Sequence, residues 1–196
     1  MKHSLIFVFF LVLTACSSMG NNLAEITGLA YLHDRRDSFA IAADERIEDS
    51  AILELYGQDD IKDHSHFNIT SYNAKVLVTG EAETEEIREK IISNVRIISG
   101  VKLVHNELLV APESSLQSRS EDVFLTVKVK DALAEIDDDM PGFDATRVKV
   151  ISENKVVFLM GLVHEAEGIA AAKSVQNVAG VKKIVTVFEY IGYASK

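Results

Sequence analysis

Cys16 is the only thiol in 196 residues and closes an apolar stretch, residues 5–13, followed by the small pair Thr14-Ala15. One cysteine cannot form an internal disulfide, so its chemistry is that of a nucleophile or an acyl acceptor. A second cluster, His64 and His66 around Ser65 with Asp59, Asp60 and Asp63 close by, carries the imidazoles and carboxylates that bind divalent cations. His-x-His sets both rings on one side of a strand, but no further ligand stands at a recognisable spacing. A solvated loop is the simpler reading, and no metal site is assigned. His105 and His164 fall on or beside expected strands, where a satisfied or exposed histidine is ordinary. G-x-S-x-G, Walker, G-x-G-x-x-G and HExxH patterns are absent from the chain. No catalytic residue or cofactor is therefore expected, and the chain reads as non-enzymatic.

The elements that would position these groups come in two copies. In the first, residues 67–72 alternate as a strand, Asn73-Ala74 turns, residues 75–80 form a second strand, and residues 84–99 are helical up to Gly100. In the second, residues 147–152 alternate, Glu153-Asn154 turns, residues 155–161 follow, and residues 165–178 are helical up to Gly180. Each closing glycine is followed by Val-Lys and an apolar strand, residues 103–110 and 184–191. A glycine that accepts the left-handed conformation ends a helix and lets the chain turn back into a sheet. Ile87, Ile91, Val95 and Ile98 lie on one stripe that can cover that sheet. Helical stretches at residues 44–56 and 121–136 precede the copies, giving αββαβ twice. The predicted fold class is α+β: two tandem units, each a small mixed three-stranded sheet packed by two helices.

The helix over residues 121–136 has apolar residues to spare. Leu125, Val129, Ala132, Leu133 and Ile136 complete a core-facing stripe, while Val123, Val127 and Ala134 lie nearly opposite it and Phe124 sits on the flank. Lys128 and Lys130 could meet lipid phosphates while Val123, Phe124 and Val127 enter the acyl boundary. The alternative is that Val123 and Phe124 staple the helix start or pack on the first unit. Asp137-Asp138-Asp139 directly after the helix opposes an anionic surface. Met140-Pro141-Gly142-Phe143 is either a second apolar wedge or a turn packed beneath the sheet.

Composition sets the class. The chain is 47% hydrophobic and 26% charged, with 30 acidic against 20 basic residues, net charge −10 and pI about 5.0. These values mark a globular protein and argue against a general electrostatic grip on nucleic acid. Residues 121–196 carry 9 basic and 12 acidic residues, net −3, and residues 40–110 carry 7 and 14, net −7. The second unit is thus the better membrane candidate. Residues 5–13 are too short to span a bilayer and read as the core of an export signal. Leu13-Thr14-Ala15-Cys16 resembles the lipobox of bacterial lipoproteins, which implies acylation at Cys16. With Ser17 where an Asp would favour inner-membrane retention in such lipoproteins, the resemblance implies the outer membrane. The expected layout is a signal peptide over 1–15, a lipidated tether over 16–43, the first unit over 44–110, a Ser-rich linker with Pro112 over 111–120, and the second unit over 121–196.

The repeated αββαβ, with residues 157–163, Gly180-Val181-Lys182-Lys183, residues 68–72 and Lys75-Val76-Leu77, resembles the BON domain. A lipobox followed by two such units is similar to the dual-BON-domain outer-membrane lipoproteins of DolP type. This resemblance implies lipid anchoring at the periplasmic face of the outer membrane and binding of anionic phospholipid by the second domain. It also implies gathering at division sites and support of envelope integrity. Phe124 stands where that family's lipid-binding helix carries an aromatic. The rival expectation is a periplasmic adaptor that docks an envelope protein partner on the same apolar residues.

Overall fold

The computed structural model describes residues 33–192, so Cys16 and the export signal lie outside the described residues. The chain divides into one unit of residues 1–34 and another from Arg35 onward that holds both repeats. The first repeat runs α1 (Ser38–Tyr56), α2 (Asp59–Lys62), β1 (Ser65–Tyr72), β2 (Lys75–Ala82), α3 (Glu85–Arg96) and β3 (Leu103–Val110). The second runs α4 (Leu116–Ala134), α5 (Ile136–Asp139), a 3-10 turn (Ala145–Arg147), β4 (Lys149–Glu153), β5 (Val156–Val163), α6 (Glu165–Gln176) and β6 (Lys183–Tyr190). Two three-stranded sheets result, ordered β1-β2-β3 and β4-β5-β6, each with its first pair antiparallel and its second parallel. The α+β class and the mixed sheets are those expected from the repeat.

Helix starts differ from the sequence reading because capping side chains lie upstream of the apolar periodicity. The Asp37 carboxylate accepts the Ala40 amide proton at 2.7 Å and starts α1 at Ser38 rather than residue 44. The Ser115 hydroxyl accepts the Ser118 amide proton at 3.1 Å and starts α4 at Leu116. Residues 116–120, expected in the linker, are thus helical. The second hairpin also turns one residue later than expected. Asn154 and Lys155 take φ of 53° and 64°, matching 51° and 64° at Asn73 and Ala74, while Glu153 still pairs with Val156. Two successive positive φ values make a type I′ turn, whose twist suits a tight hairpin. Residues 145–147 coil as a 3-10 turn, so β4 opens only at Lys149.

The glycine on each second strand has a steric cause. A Cβ at Gly80, where φ is 118°, would stand 2.1 Å from the His66 carbonyl oxygen. At Gly161 it would stand 2.5 Å from the carbonyl oxygen of Arg147. The backbone of β1 at Gly80, and of the 3-10 turn leading into β4 at Gly161, passes too close for any side chain.

Alternation along the central strands divides two kinds of core. Val76, Val78 and Ala82 pack with Ile91, Ile92 and Val95 of α3, and Ile47 and Leu55 of α1. Val157, Leu159 and Val163 pack with Leu125, Val129 and Leu133 of α4 and Ala171 and Val175 of α6. Residues of the opposite parity meet across the repeats: Tyr72 and Leu77 join Phe158, Met160 and Val187 in one buried cluster. The helix-free faces of the two sheets therefore cover each other, and β2 and β5 are buried on both sides.

Polar groups rim this sheet-on-sheet contact. The Tyr72 hydroxyl accepts the Leu162 amide proton at 3.0 Å, the Asn68 side chain donates to Glu153 at 2.8 Å, and the Asn154 side chain donates to Glu81. Asn73 donates to Glu189 at 3.2 Å and Lys149 to Glu48 at 2.9 Å. The arginines of the charged string 34–37, placed in the tether by sequence, are folded into this body. Arg35 forks onto both oxygens of Glu167 at 2.5 and 2.8 Å and reaches the Leu162 carbonyl at 3.1 Å. Arg36 donates to Asp44 at 2.6 Å and stacks 3.7 Å from the Tyr72 ring centroid.

Candidate functional site

α4 buries Leu125, Val129 and Leu133, with Asp122 on the same side and Ile136 following in α5. Ala132 of the expected stripe is only half-buried, against α6, whose Ser174 hydroxyl donates to the Ala132 carbonyl at 2.8 Å. Val123, Phe124 and Val127 are left outside with 65, 69 and 52% of their surface exposed, so they neither staple the helix nor pack on the first repeat. Lys128 and Lys130 are exposed beside them. Leu116, 79% exposed, adds a residue that the later helix start had hidden. At about 100° per residue, Leu116, Val123 and Val127 fall within roughly 40° of arc, with Lys130 at one margin and Phe124 on the flank.

The acidic run lies at the far end of this surface. Asp137, Asp138 and Asp139 are exposed on α5, where the Asp137 carboxylate accepts the Gly142 amide proton at 3.1 Å. From Val123 to Asp138 the helix rise amounts to about 20 Å, more than twice the ~8 Å screening length at physiological salt. The run therefore bears weakly on the apolar stripe. Phe143 is 5% exposed and sits in the second repeat's core, with Met140 packed against it, so residues 140–143 form a turn beneath the sheet rather than a wedge. At the start of the helix, Lys155 pairs with Glu121 at 3.1 Å, and its hydrogen bond holds the Glu121 carboxyl below its usual range.

The histidine cluster is dispersed. His64 pairs with Glu83 at 2.8 Å on the surface. His66 is half-buried on β1, and burial followed by the charge of Arg119 holds its imidazole below 6.5. Among the described residues no group of three or more His, Cys, Asp and Glu stands where it could hold a metal ion. No helix among them is long and apolar enough to cross a membrane. Sequence reasoning missed Arg35, Glu81 and Glu153, whose partners Glu167, Asn154 and Asn68 lie in the other repeat and leave no local pattern, and Arg36, which meets Asp44 and Tyr72 of the first repeat.

Comparison with known proteins agrees with this architecture. The chain is 37% identical over 131 residues to the outer membrane lipoprotein DolP of Haemophilus influenzae, covering 67% of this chain and 66% of that protein, just under two thirds of its length. It is 31% identical over 158 residues to a 21 kDa hemolysin of Actinobacillus pleuropneumoniae, covering 81% of this chain and 79% of that one. The C-terminal domain of CdsD, a structural protein of the type III secretion system of Chlamydia trachomatis, overlays 72% of this chain and 96% of its own at 12% identity. Its TM-score of 0.27 is too low to carry an argument. The BON domain family model matches residues 44–112 and 122–192, one match on each αββαβ repeat, and the chain belongs to the BON-domain family.

Proposed function

We propose that this chain is a non-enzymatic outer-membrane lipoprotein, anchored through Cys16 at the periplasmic face, that binds anionic phospholipid through its second BON domain. In this reading it supports envelope integrity, with division sites the place its family resemblance implies. One observation carries the lipid contact: Leu116, Val123, Phe124 and Val127 are exposed together on a helix whose core stripe is already complete. Interfacial helices have this construction, an apolar face entering the acyl boundary with lysines at headgroup level. The lipoprotein named among its relatives supports the anchor, and the sequence up to Cys16 supports the same chemistry. Several acyl chains on one cysteine give durable attachment without a spanning helix, at roughly 0.8 kcal/mol per buried methylene.

Flotation of the chain from Ser17 onward with vesicles of neutral lipid, and of neutral lipid with an anionic component, tests the reading. Binding that requires the anionic component is expected. Absence of binding to either vesicle would remove the lipid contact and leave the stripe to a protein partner.

A further inference from the structure

We propose that Glu153 is a pH-sensitive latch between the two BON domains, holding the sheet faces together when protonated and loosening them when ionised. Glu153 ends β4 with 6% of its surface exposed, and across the domain boundary it accepts the Asn68 side-chain proton at 2.8 Å. Glu81 of β2, 2% exposed, belongs to the other domain and accepts from the Asn154 side chain and, at 3.2 Å, from the Ser114 amide. Docking the sheets therefore buries two carboxylates from different domains in one neighbourhood, and separating the sheets returns both to water. Buried like charges of this kind do not both stay ionised at low cost.

The other charged groups nearby do not cancel the conflict. Asp122 on α4, 5% exposed, adds negative charge, though its oxygens are taken up by the Asn154 and Lys155 amides at 2.8 and 2.9 Å. Arg119 on α4 is the facing cation, and its guanidinium is held by Glu113 at 3.0 Å and the Ser114 hydroxyl at 3.2 Å. His66 on β1 senses Arg119, Glu81 and Glu113. Burial, followed by the charge of Glu81, pushes the Glu153 carboxyl up to about 7, with the Asn68 hydrogen bond pulling the other way.

The sign follows from proton linkage. A carboxyl raised in the docked state keeps a proton that the separated state releases, so the contribution of Glu153 to docking is fully present below about 4.5 and is lost as pH rises through about 7. His66 acts oppositely and at lower pH: its depressed imidazole makes docking less favourable as it charges.

Native-state hydrogen exchange of the full mature protein in detergent, corrected for the intrinsic pH dependence of amide exchange, reads this equilibrium. The Leu162 amide, bonded to the Tyr72 hydroxyl across the boundary, reports docking, and the Ile92 amide inside α3 is the reference. Between pH 5 and pH 8 the protection of Leu162 relative to Ile92 should fall about tenfold or more, the limit for one proton being tenfold per pH unit. Glu153→Gln should keep the high protection throughout, and Glu81→Gln should move the fall to lower pH. An unchanged pH profile in Glu153→Gln, or a flat profile in the wild type, would overturn the proposal. Should the variants fail to fold, carbon-13 titration of the wild-type Glu153 carboxyl decides: a midpoint near 7 supports the latch, and one near 4.5 refutes it.

Discussion

Asp44 and Asp122 stand at the same point of the two repeats, each on the first helix and each accepting both amide protons of the hairpin turn beneath it. Asp44 takes those of Asn73 and Ala74 at 2.7 and 2.8 Å, and Asp122 takes those of Asn154 and Lys155 at 2.8 and 2.9 Å. The two family matches begin at these residues. A type I′ turn in L-residues is strained and its amides point inward, so a buried carboxylate at this place ties helix to hairpin. Asp122→Ala should destabilise the second domain by about 2 to 4 kcal/mol, since it leaves two half-buried amides without their carboxylate acceptor. Asp44→Ala should cost more, because Asp44 also accepts from Ser71 and Arg36, both at 2.6 Å. Denaturant unfolding of each variant checks this, and a loss below about 0.5 kcal/mol would remove the role.

Gly80 and Gly142 both have positive φ, at 118° and 93°, but only Gly80 is crowded; a Cβ on Gly142 meets nothing within 4 Å. Gly80→Ala should therefore destabilise by more than about 3 kcal/mol, through a clash with the His66 carbonyl that the strand cannot relieve. Gly142→Ala should cost about 1 kcal/mol from backbone strain alone. Equal costs in thermal unfolding would mean that conformation, not close approach, selects the glycine.

Phe124→Glu changes an exposed position and should leave the unfolding midpoint within error of wild type. Burial of one aromatic at a membrane contributes about 1.5 to 3 kcal/mol, so vesicle affinity should fall about tenfold or more. Binding should also weaken with salt through Lys128 and Lys130. Wild-type affinity in a folded Phe124→Glu protein would clear α4 of the contact.

Arg35 and Glu167 couple the segment before α1 to the second domain. The Arg35 hydrogen bond holds the Glu167 carboxyl below 4.5, and burial opposes it. A carboxyl lowered in the folded state adds stability above its unfolded value, and that stability is lost as pH falls through the folded value. A double-mutant cycle of Arg35→Ala and Glu167→Gln should give a coupling of about 1 to 3 kcal/mol at pH 7 that shrinks towards pH 3. A pH-independent coupling would point to packing rather than charge.

Cys16→Ser should yield a protein that is not acylated and fractionates away from its normal membrane. Intact-mass spectrometry of the mature wild-type protein checks the premise, and an unmodified Cys16 there would sink it.

Much of this architecture was legible in the chain because it rests on short-range patterning. Gly80, Gly100, Gly161 and Gly180 recur at places where sterics or a positive φ demand glycine. The stripe through Ile91 and Val95 and the spare residues Val123, Phe124 and Val127 follow from helical period alone. Tertiary structure alone decided which surfaces meet. Val-Val-Phe-Leu-Met is an apolar strand by sequence, yet its burial against Tyr72 and Leu77 depends on a sheet about eighty positions away. Glu81, Glu153, Arg35 and Arg36 read as ordinary surface charges, because charge and local spacing are the same whether such a group is solvated or buried. The partners of Glu81, Glu153 and Arg35 across the two repeats lie 73 to 132 positions apart, while the Asp44 partner of Arg36 is eight residues on, and a contact as distant as the former imposes no periodicity on the sequence.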